Sequence, residues 1–193
     1  MDQAYVMPKY LTGEDIRHAR QSLGMTQKEF AQFAGCALRT VENWETKAEK
    51  VTGPVVTLLN IVLRRPALVR KLQVPPQRYY MRVWYMYRHL VCTIIDVDER
   101  NREIEVTNYT DDPLFRAFGV KLEPEYEDYE AFLESRCFPR TRDKMKIQLK
   151  ELDIPFYDPL LIIEKTQGRM ADDDFWLKVE VRRQIDCGRG GDV

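Results

Sequence analysis

This sequence is poor in the residues that build metal sites and disulfide frameworks. Its 193 residues include four cysteines and two histidines, and no two of these lie in a C-x-x-C or comparable spacing. Protein zinc sites need such clustered ligands. We therefore expect no metal and no other cofactor, and we expect the four thiols to be reduced and partly buried.

Long hydrophobic runs and common enzyme motifs are also missing. No apolar run approaches the roughly 20 residues that cross a bilayer, and the first 15 residues show no charged-then-apolar signal pattern. We therefore expect a cytoplasmic protein with no membrane contact. The chain has no glycine-rich phosphate loop, H-E-x-x-H or G-x-S-x-G motif, and its acidic runs are typical of solvated turns. We expect no catalytic activity.

The composition is that of a globular protein with two unlike halves. Apolar residues make up 44% of the chain and charged residues 32%, which excludes a disordered protein. Residues 1–75 hold eleven Lys or Arg against seven Asp or Glu, whereas the rest holds nineteen against twenty-four. A basic half followed by an acidic half predicts a domain that faces nucleic acid, joined to a domain with another role.

The stretch TQKEFAQFAGCALRTVENWE, residues 26–45, predicts two helices joined by a tight corner. Thr26 and Glu29 have the T-x-x-E spacing of a capping box at the start of the first helix. Gly35 suits the corner because glycine adopts left-handed backbone conformations at little cost. The second helix is expected over residues 37–46. This is the pattern of a helix-turn-helix (HTH), whose first helix crosses the DNA backbone while its second enters the major groove.

The second helix of the pair has an apolar face. Leu38, Val41 and Trp44 of this face, and Phe30 of the first helix, are candidates for base stacking, but their helical spacing favours the alternative that they form the core. Glu45 is expected to pair with a basic side chain of the same domain rather than to face DNA.

These residues resemble the lambda-repressor-like HTH domains of the Xre type. The matching signature is IRHARQSLGMTQKEFAQFAG followed by TVENWE, and the tail PVVTLLNIVLRRPALVRKL is similar to the HTH domains of MqsA- and HigA-type antitoxins. The resemblance covers residues 10–73 and implies an all-α domain of five helices. It departs from the family at Ala37, where Ser or Thr commonly caps the recognition helix, and the missing cap should cost about 1 kcal/mol.

The resemblance implies that double-stranded DNA is a partner and that the domain works as a homodimer. Such dimers bind inverted-repeat operators with half-sites about one helical turn apart. The resemblance also implies that Gln27 contacts phosphate or a base and braces the recognition helix. By its chemistry Arg39 suits guanine, and Asn43 suits adenine or a phosphate. The expected DNA-binding residues are Gln27, Lys28, Arg39, Thr40, Asn43 and Lys47.

The second half of the chain predicts a small α+β domain. Two prolines in residues 74–78 indicate a short, stiff linker. Aromatic and β-branched residues then favour a β-hairpin or a three-stranded sheet, followed by about three helices and a short strand or packed extension near residue 175. The expected strands are residues 81–87, 89–97 and 103–109. The expected boundaries are 10–73 for the HTH domain, 74–78 for the linker, 79–182 for the α+β domain and 183–193 for a flexible tail.

A weaker resemblance lies within this second domain. The segments FLESRCFPRTRDKMKIQLKELDI and DPLLIIEKTQGRMADDDFWL are similar to the small module that precedes the kinase core in HipA-like proteins, through R-x-x-P-x-x-R and D-x-x-W patterns. The similarity implies a link to toxin–antitoxin systems but not kinase activity. Arg136, Arg140 and Arg142 cluster here. They form either a docking point for an acidic or phosphorylated partner or a set of local pairs with Glu134, Asp143 or neighbouring acids.

Three hypotheses remain open for the whole chain. It is an antitoxin-type autorepressor whose second domain binds a cognate toxin, which is the hypothesis we favour. Alternatively, it is a stand-alone repressor of a mobile element whose second domain senses a ligand or mediates assembly. In the third, the second domain is an uncharacterised enzyme tethered to DNA.

Overall fold

The chain is an α+β protein that divides into two compact units, residues 1–73 and 74–193. The computed structural model describes residues 5–141 and 145–182. In these residues it contains eight α-helices, one short 3-10 helix and one four-stranded antiparallel sheet. No helix in the described ranges combines the length and the apolar character that a membrane span requires. Arg142 and the predicted tail, 183–193, lie outside the described residues.

Within residues 5–73, the first unit consists of five helices and one isolated antiparallel bridge between Leu11 and Val51. The helices are α1 (Gly13–Ser22), α2 (Gln27–Phe33), α3 (Leu38–Thr46), α4 (Pro54–Arg64) and α5 (Pro66–Lys71). The capping box predicted at the start of α2 is confirmed, since Thr26 and Glu29 each accept a hydrogen bond from the other's backbone N–H, at 3.2 and 2.7 Å. Gly35 has a φ of +65° at the corner between α2 and α3, as that turn requires.

The core of the first unit lies where α1, α2, α3 and α4 meet. Its fully buried side chains include Ile16, Phe30 and Val41. At the start of α1, Gly13 lies so close to α3 that a Cβ there would overlap the carbonyl oxygen of Trp44. The prediction that Leu38 belongs to this core is wrong, because its side chain is 41% exposed. Leu38 is the first residue of α3, so no preceding helical turn covers it.

Helix α4 buries one face and exposes the other. Val55, Val56, Leu59 and Val62 are buried in the first unit. Ile61 remains 46% exposed. The run VVTLLNIVL, which is apolar on nearly all sides in sequence, therefore reaches solvent on one side of this unit.

The second unit is built on an antiparallel sheet. Its strands are β1 (Met81–Tyr87), β2 (Leu90–Asp98), β3 (Glu103–Asn108) and β4 (Phe175–Val181), in the order β3-β2-β1-β4. The sheet thus has one strand more than predicted. Strand β4 pairs with β1 along its whole length, with Tyr85 opposite Leu177. Periodicity indicated an extended segment there but did not show which strand it would join.

Three helices cover one face of this sheet. They are α6 (Tyr126–Ser135), α7 (Met145–Glu151) and α8 (Pro159–Thr166), and the 3-10 helix Pro113–Phe115 precedes them. Alternate residues of β1 and β2, such as Val83 and Ile95, pack with Phe132 of α6 and Ile162 of α8. This arrangement places the end of α6 and the start of α8 beside each other, which positions the cleft described below.

The other face of the sheet carries a buried ion pair. Nε and Nη2 of Arg82 donate to the two carboxylate oxygens of Asp96 at 2.6 and 2.7 Å. The backbone N–H of Arg78 donates to the same carboxylate at 3.0 Å. A buried pair of this kind needs its remaining hydrogen-bonding capacity satisfied, and Arg78 contributes to that.

Candidate nucleic-acid interface

Glu45, near the end of α3, is the polar centre of the first unit. Its side chain is 2% exposed. The carboxylate accepts hydrogen bonds from Nε and Nη2 of Arg20 at 2.6 and 3.1 Å, and from Nε2 of Gln27 at 2.9 Å. Because these donors come from α1 and α2, one buried carboxylate ties three helices together. The prediction that Glu45 is a structural partner of a basic side chain is confirmed.

A second arginine of α1 adds to this network. Nη2 of Arg17 donates to the backbone carbonyl of Glu45 at 2.8 Å, and its Nε lies 3.6 Å from the carboxylate. The hydrogen bonds from Arg20 chiefly, and that from Gln27, lower the pKa of Glu45 from its ordinary value of 4.5, against the raising effect of burial. The network therefore contains an ionised carboxylate at neutral pH, and α3 is held in a fixed orientation.

Gln27 is the first residue of α2 and one of the expected DNA contacts. Its side-chain amide donates to Glu45, so it braces the helix that follows the corner. The side chain is half-buried. Its amide nitrogen is engaged inside the unit, while its contact with DNA stays a prediction.

The outer face of α3 carries two of the expected base-reading side chains. Arg39 and Asn43 are one helical turn apart and both are exposed. They lie opposite Val41 and Glu45, the buried residues of the helix. Thr40 lies beside them and is half-buried. The fold thus places Arg39 and Asn43 together on the exposed face of α3, as expected for residues four positions apart in a helix.

Two exposed lysines lie near this face of α3 in the sequence. Lys28 is exposed in the first turn of α2, and Lys47 is exposed directly after α3. Within the described ranges, the side chains of Lys28, Arg39, Asn43 and Lys47 make no hydrogen bond or ion pair with the protein. These four polar groups are therefore available to an external partner.

Sequence reasoning did not single out two further exposed residues of α3. Glu42 and Thr46 also face solvent, and the Thr46 hydroxyl donates to the backbone carbonyl of Glu42 at 2.7 Å. A helical wheel contains this information, since both positions lie away from Val41. Glu42 adds a negative charge beside Arg39 and Asn43 and suits a base that donates a hydrogen bond, such as cytosine.

The start of α3 lacks a side-chain cap, as the sequence indicated. Ala37 occupies the N-cap position in an extended conformation and contributes no side-chain hydrogen bond. The N–H of Thr40 donates to the carbonyl of Ala37 at 2.9 Å, but the N–H groups before it in the first turn have no intrahelical acceptors, and helix N-termini favour negative charge. The uncapped N-terminus of α3 is thus electrostatically suited to lie against a phosphate.

The structure corrects the docking role considered for Arg136 in the second unit. Arg136 is 8% exposed and forms a bidentate pair with Asp173, at 2.6 and 3.0 Å. It also donates to the backbone carbonyls of Gly168 and Phe175, both at 3.0 Å. Arg136 is therefore a structural residue, because its side chain bonds the end of α6 to the segment that leads into β4. The local pairs considered as the alternative did not include this contact, because Asp173 lies 37 residues further along the chain.

The other two arginines of that cluster differ from Arg136. Arg140 is exposed, lies 2.6 Å from a carboxylate oxygen of Glu134 and stacks over the ring of Tyr157 at 4.8 Å. It remains accessible to a partner, and Glu134 is the local partner that the alternative named. Arg142 falls outside the described residues.

No family model, curated protein or solved structure matches this chain.

Proposed function

We propose that the first unit is a helix-turn-helix domain and that the protein is a sequence-specific DNA-binding transcriptional regulator. The observation that carries the proposal is the two-sided character of α3. Glu45 fixes one side of this helix to α1 and α2, while Arg39 and Asn43 are exposed on the other. A rigid helix with exposed base-reading side chains is what major-groove recognition requires.

The parts have distinct roles in this proposal. Helix α3 enters the major groove, where Arg39 reads guanine and Asn43 reads adenine, each contributing about 1–3 kcal/mol of discrimination. Lys28, Lys47 and the N-terminus of α3 hold phosphates and set the register without reading sequence. Gln27 and Thr40 lie between the side chains that read bases and those that hold phosphates.

We further propose that the first unit acts as a homodimer on an inverted-repeat operator. Exposed apolar side chains support self-association, since Ile61 of α4, Leu68 of α5 and Leu72, the residue that follows α5, are 46%, 39% and 54% exposed. Groups of exposed apolar residues on a small unit commonly mark a contact with another chain.

For the second unit we propose the binding of a partner protein, which makes the whole chain an antitoxin-type autorepressor with a cognate toxin as the partner. A groove of about 600 Å³ runs between α7 and residues 153–157. Phe156, which lines it, is 61% exposed. An exposed aromatic side chain at a groove is typical of the residues that anchor protein partners.

The alternative is a stand-alone repressor whose second unit senses a small ligand. A separate cleft beside α6 favours this alternative. In both hypotheses the first unit binds DNA. They differ in whether the second unit binds a protein or a small ligand. Co-expression of the chain with the product of the neighbouring gene separates them, because only the antitoxin hypothesis requires a stable complex of the two proteins.

Selection from a random duplex library tests the DNA-binding proposal, because it requires no assumption about the operator sequence. Full-length protein is expected to enrich one sequence and its inverted repeat over successive rounds. The Arg39→Ala/Asn43→Ala variant is expected to lose that enrichment while retaining weak, salt-sensitive binding. A library that stays random with the wild-type protein would contradict the proposal.

A further inference from the structure

A cleft in the second unit has features of a ligand site that the DNA-binding proposal does not use. It has a volume of about 470 Å³ and lies between the turn after β2, helix α6 and the start of α8. Such a volume is within the range of small-molecule sites. Its principal polar lining residues are Glu99, Tyr126, Tyr129, Glu130, Glu134 and Asp158.

The charge of this cleft is strongly negative. Four carboxylates line it against one guanidinium, that of Arg140. Glu130 pairs with Arg102, and Glu134 pairs with Arg140. Glu99 and Asp158 form no ion pair among residues 5–141 and 145–182. Glu99 accepts a hydrogen bond from the Tyr80 hydroxyl at 2.6 Å, and Asp158 caps α8. Two of the four carboxylates that line the cleft are therefore not engaged by a basic side chain in an ion pair among the described residues.

A buried hydroxyl provides the second, independent observation. Tyr129 is 1% exposed, and its hydroxyl has no hydrogen-bond partner among the described residues. Buried polar groups are nearly always paired, so an unpaired one marks a place where a bound group completes the bonding. Burial chiefly, and the negative field of Glu99 and Asp158 in addition, raise the pKa of Tyr129. The hydroxyl therefore stays protonated close to Glu99 and Asp158.

The side chains that line the cleft argue against two classes of ligand, metal ions and anions. No group of three or more His, Cys, Asp or Glu side chains in the described ranges is close enough to hold a metal ion, so the carboxylates are too dispersed for a cation site of that kind. An anion is disfavoured by the excess of carboxylates over the single Arg140. An organic cation large enough to reach several separated acceptors fits the excess of carboxylates.

We propose that this cleft binds an organic cation that carries a guanidinium or primary ammonium group. Its N–H groups donate to Glu99 and Asp158 and to the oxygen of the Tyr129 hydroxyl. The stem of the ligand lies along the ring of Tyr126. This ring already accepts one guanidinium, because Arg102 stacks 4.4 Å from its centroid, as cation–π attraction favours.

The same chemistry has two sources, a free amine and an arginine or lysine side chain of a polypeptide. Calorimetric titration of the full-length protein with agmatine, and separately with acetyl-Gly-Arg-Gly-amide, distinguishes them. Binding of agmatine alone indicates a free metabolite, and tighter binding of the peptide indicates a protein segment. Either result supports the site, whereas heat of dilution alone with both probes at millimolar concentration overturns it.

Three substitutions test the residues without removing their structural roles. Glu99→Gln keeps an acceptor for Tyr80, and Asp158→Asn keeps a side chain that caps helices well. Each is expected to weaken binding roughly tenfold, as for the loss of a hydrogen bond to a charged group. Tyr129→Phe removes only the hydroxyl, so it should weaken binding severalfold while leaving the thermal unfolding midpoint unchanged or raised.

Glu164→Gln is the matched control, because Glu164 is an exposed carboxylate on α8 that does not line the cleft. It should leave the affinity unchanged. The proposal is overturned if none of the three cleft substitutions lowers the affinity for the probe. It is also overturned if Glu164→Gln lowers the affinity as much as they do. The titration needs no DNA, so its outcome is independent of whether the first unit binds an operator.

Discussion

Arg20 of α1 and Glu45 of α3 form a two-point ion pair inside the first unit, with N–O distances of 2.6 and 3.1 Å. The pair is nearly closed to solvent, since the two side chains are 13% and 2% exposed. Gln27 of α2 donates to the same carboxylate. The orientation of α3, and with it the direction of Arg39 and Asn43, depends on this contact.

Glu45→Ala is expected to destabilise the first unit by about 3–5 kcal/mol, because it leaves the largely buried guanidinium of Arg20 without a counter-charge. Glu45→Gln should cost less, about 1–3 kcal/mol, since one acceptor remains. Urea unfolding followed by circular dichroism measures both. Glu42→Gln, an exposed change on the same helix, should stay within about 0.5 kcal/mol. Equal midpoints for Glu45→Ala and Glu42→Gln would contradict the account.

Acid should weaken the first unit through the same carboxylate. The pKa of Glu45 is lowered in the folded state from 4.5, and that of Glu29 is lowered by its capping bonds to Thr26. A lowered pKa contributes stability that is complete above the unfolded-state value and declines as pH falls through the folded-state value. The thermal midpoint is therefore expected to drop as pH falls below 4.5. In Glu45→Gln the drop should be shallower, and an identical profile in the two proteins would show that Glu45 does not contribute.

A cap added to α3 should stabilise the first unit. Ala37 has the extended backbone of an N-cap, with φ −72° and ψ 147°, but no side-chain oxygen. Ala37→Ser supplies one and is expected to gain about 1 kcal/mol. Ala48→Ser places the same side chain in the exposed loop after α3 and should change nothing. A gain in both variants, or in neither, would mean that the cap is not the cause.

Substitution of Arg136 should destabilise the second unit much more than substitution of Arg140. Arg136→Ala leaves the Asp173 carboxylate and two backbone carbonyls without their donor, so a loss of about 3–5 kcal/mol is expected. Arg140→Ala removes an exposed pair with Glu134 and should cost about 1 kcal/mol or less. Thermal unfolding of the two variants makes the comparison, and similar losses would refute the assignment of Arg136 as a structural residue.

The parts of this fold that were predicted from sequence are those governed by local rules. The capping residue Thr26 marked where α2 begins, and its bonds reach only three residues along the chain. The pairing of Glu45 with a basic residue was also expected, although Arg20 was not named. Leu38 was misplaced because helical spacing alone does not show where a helix end emerges from its neighbours.

The features that were not predicted depend on long-range contacts. Strand β4 joins β1 across most of the second unit, and no local pattern specifies that pairing. Arg136 and Asp173 belong to the R-x-x-P-x-x-R and D-x-x-W patterns, so the sequence contained both partners. What it lacked was any sign that the two motifs touch. The buried hydroxyl of Tyr129 has no signal in sequence, because a missing partner is visible only in three dimensions.

We propose that α3 reads DNA through Arg39 and Asn43. Fluorescence anisotropy of the full-length protein, on the duplex upstream of its own coding sequence and on a scrambled duplex, tests it most directly across several salt concentrations. We expect preferential binding to the upstream duplex and a loss of about 1–3 kcal/mol for each of Arg39→Ala and Asn43→Ala. Gln32→Ala, an exposed change on α2, should leave that preference intact. Equal affinity for the two duplexes, unchanged by Arg39→Ala and Asn43→Ala, would contradict the account.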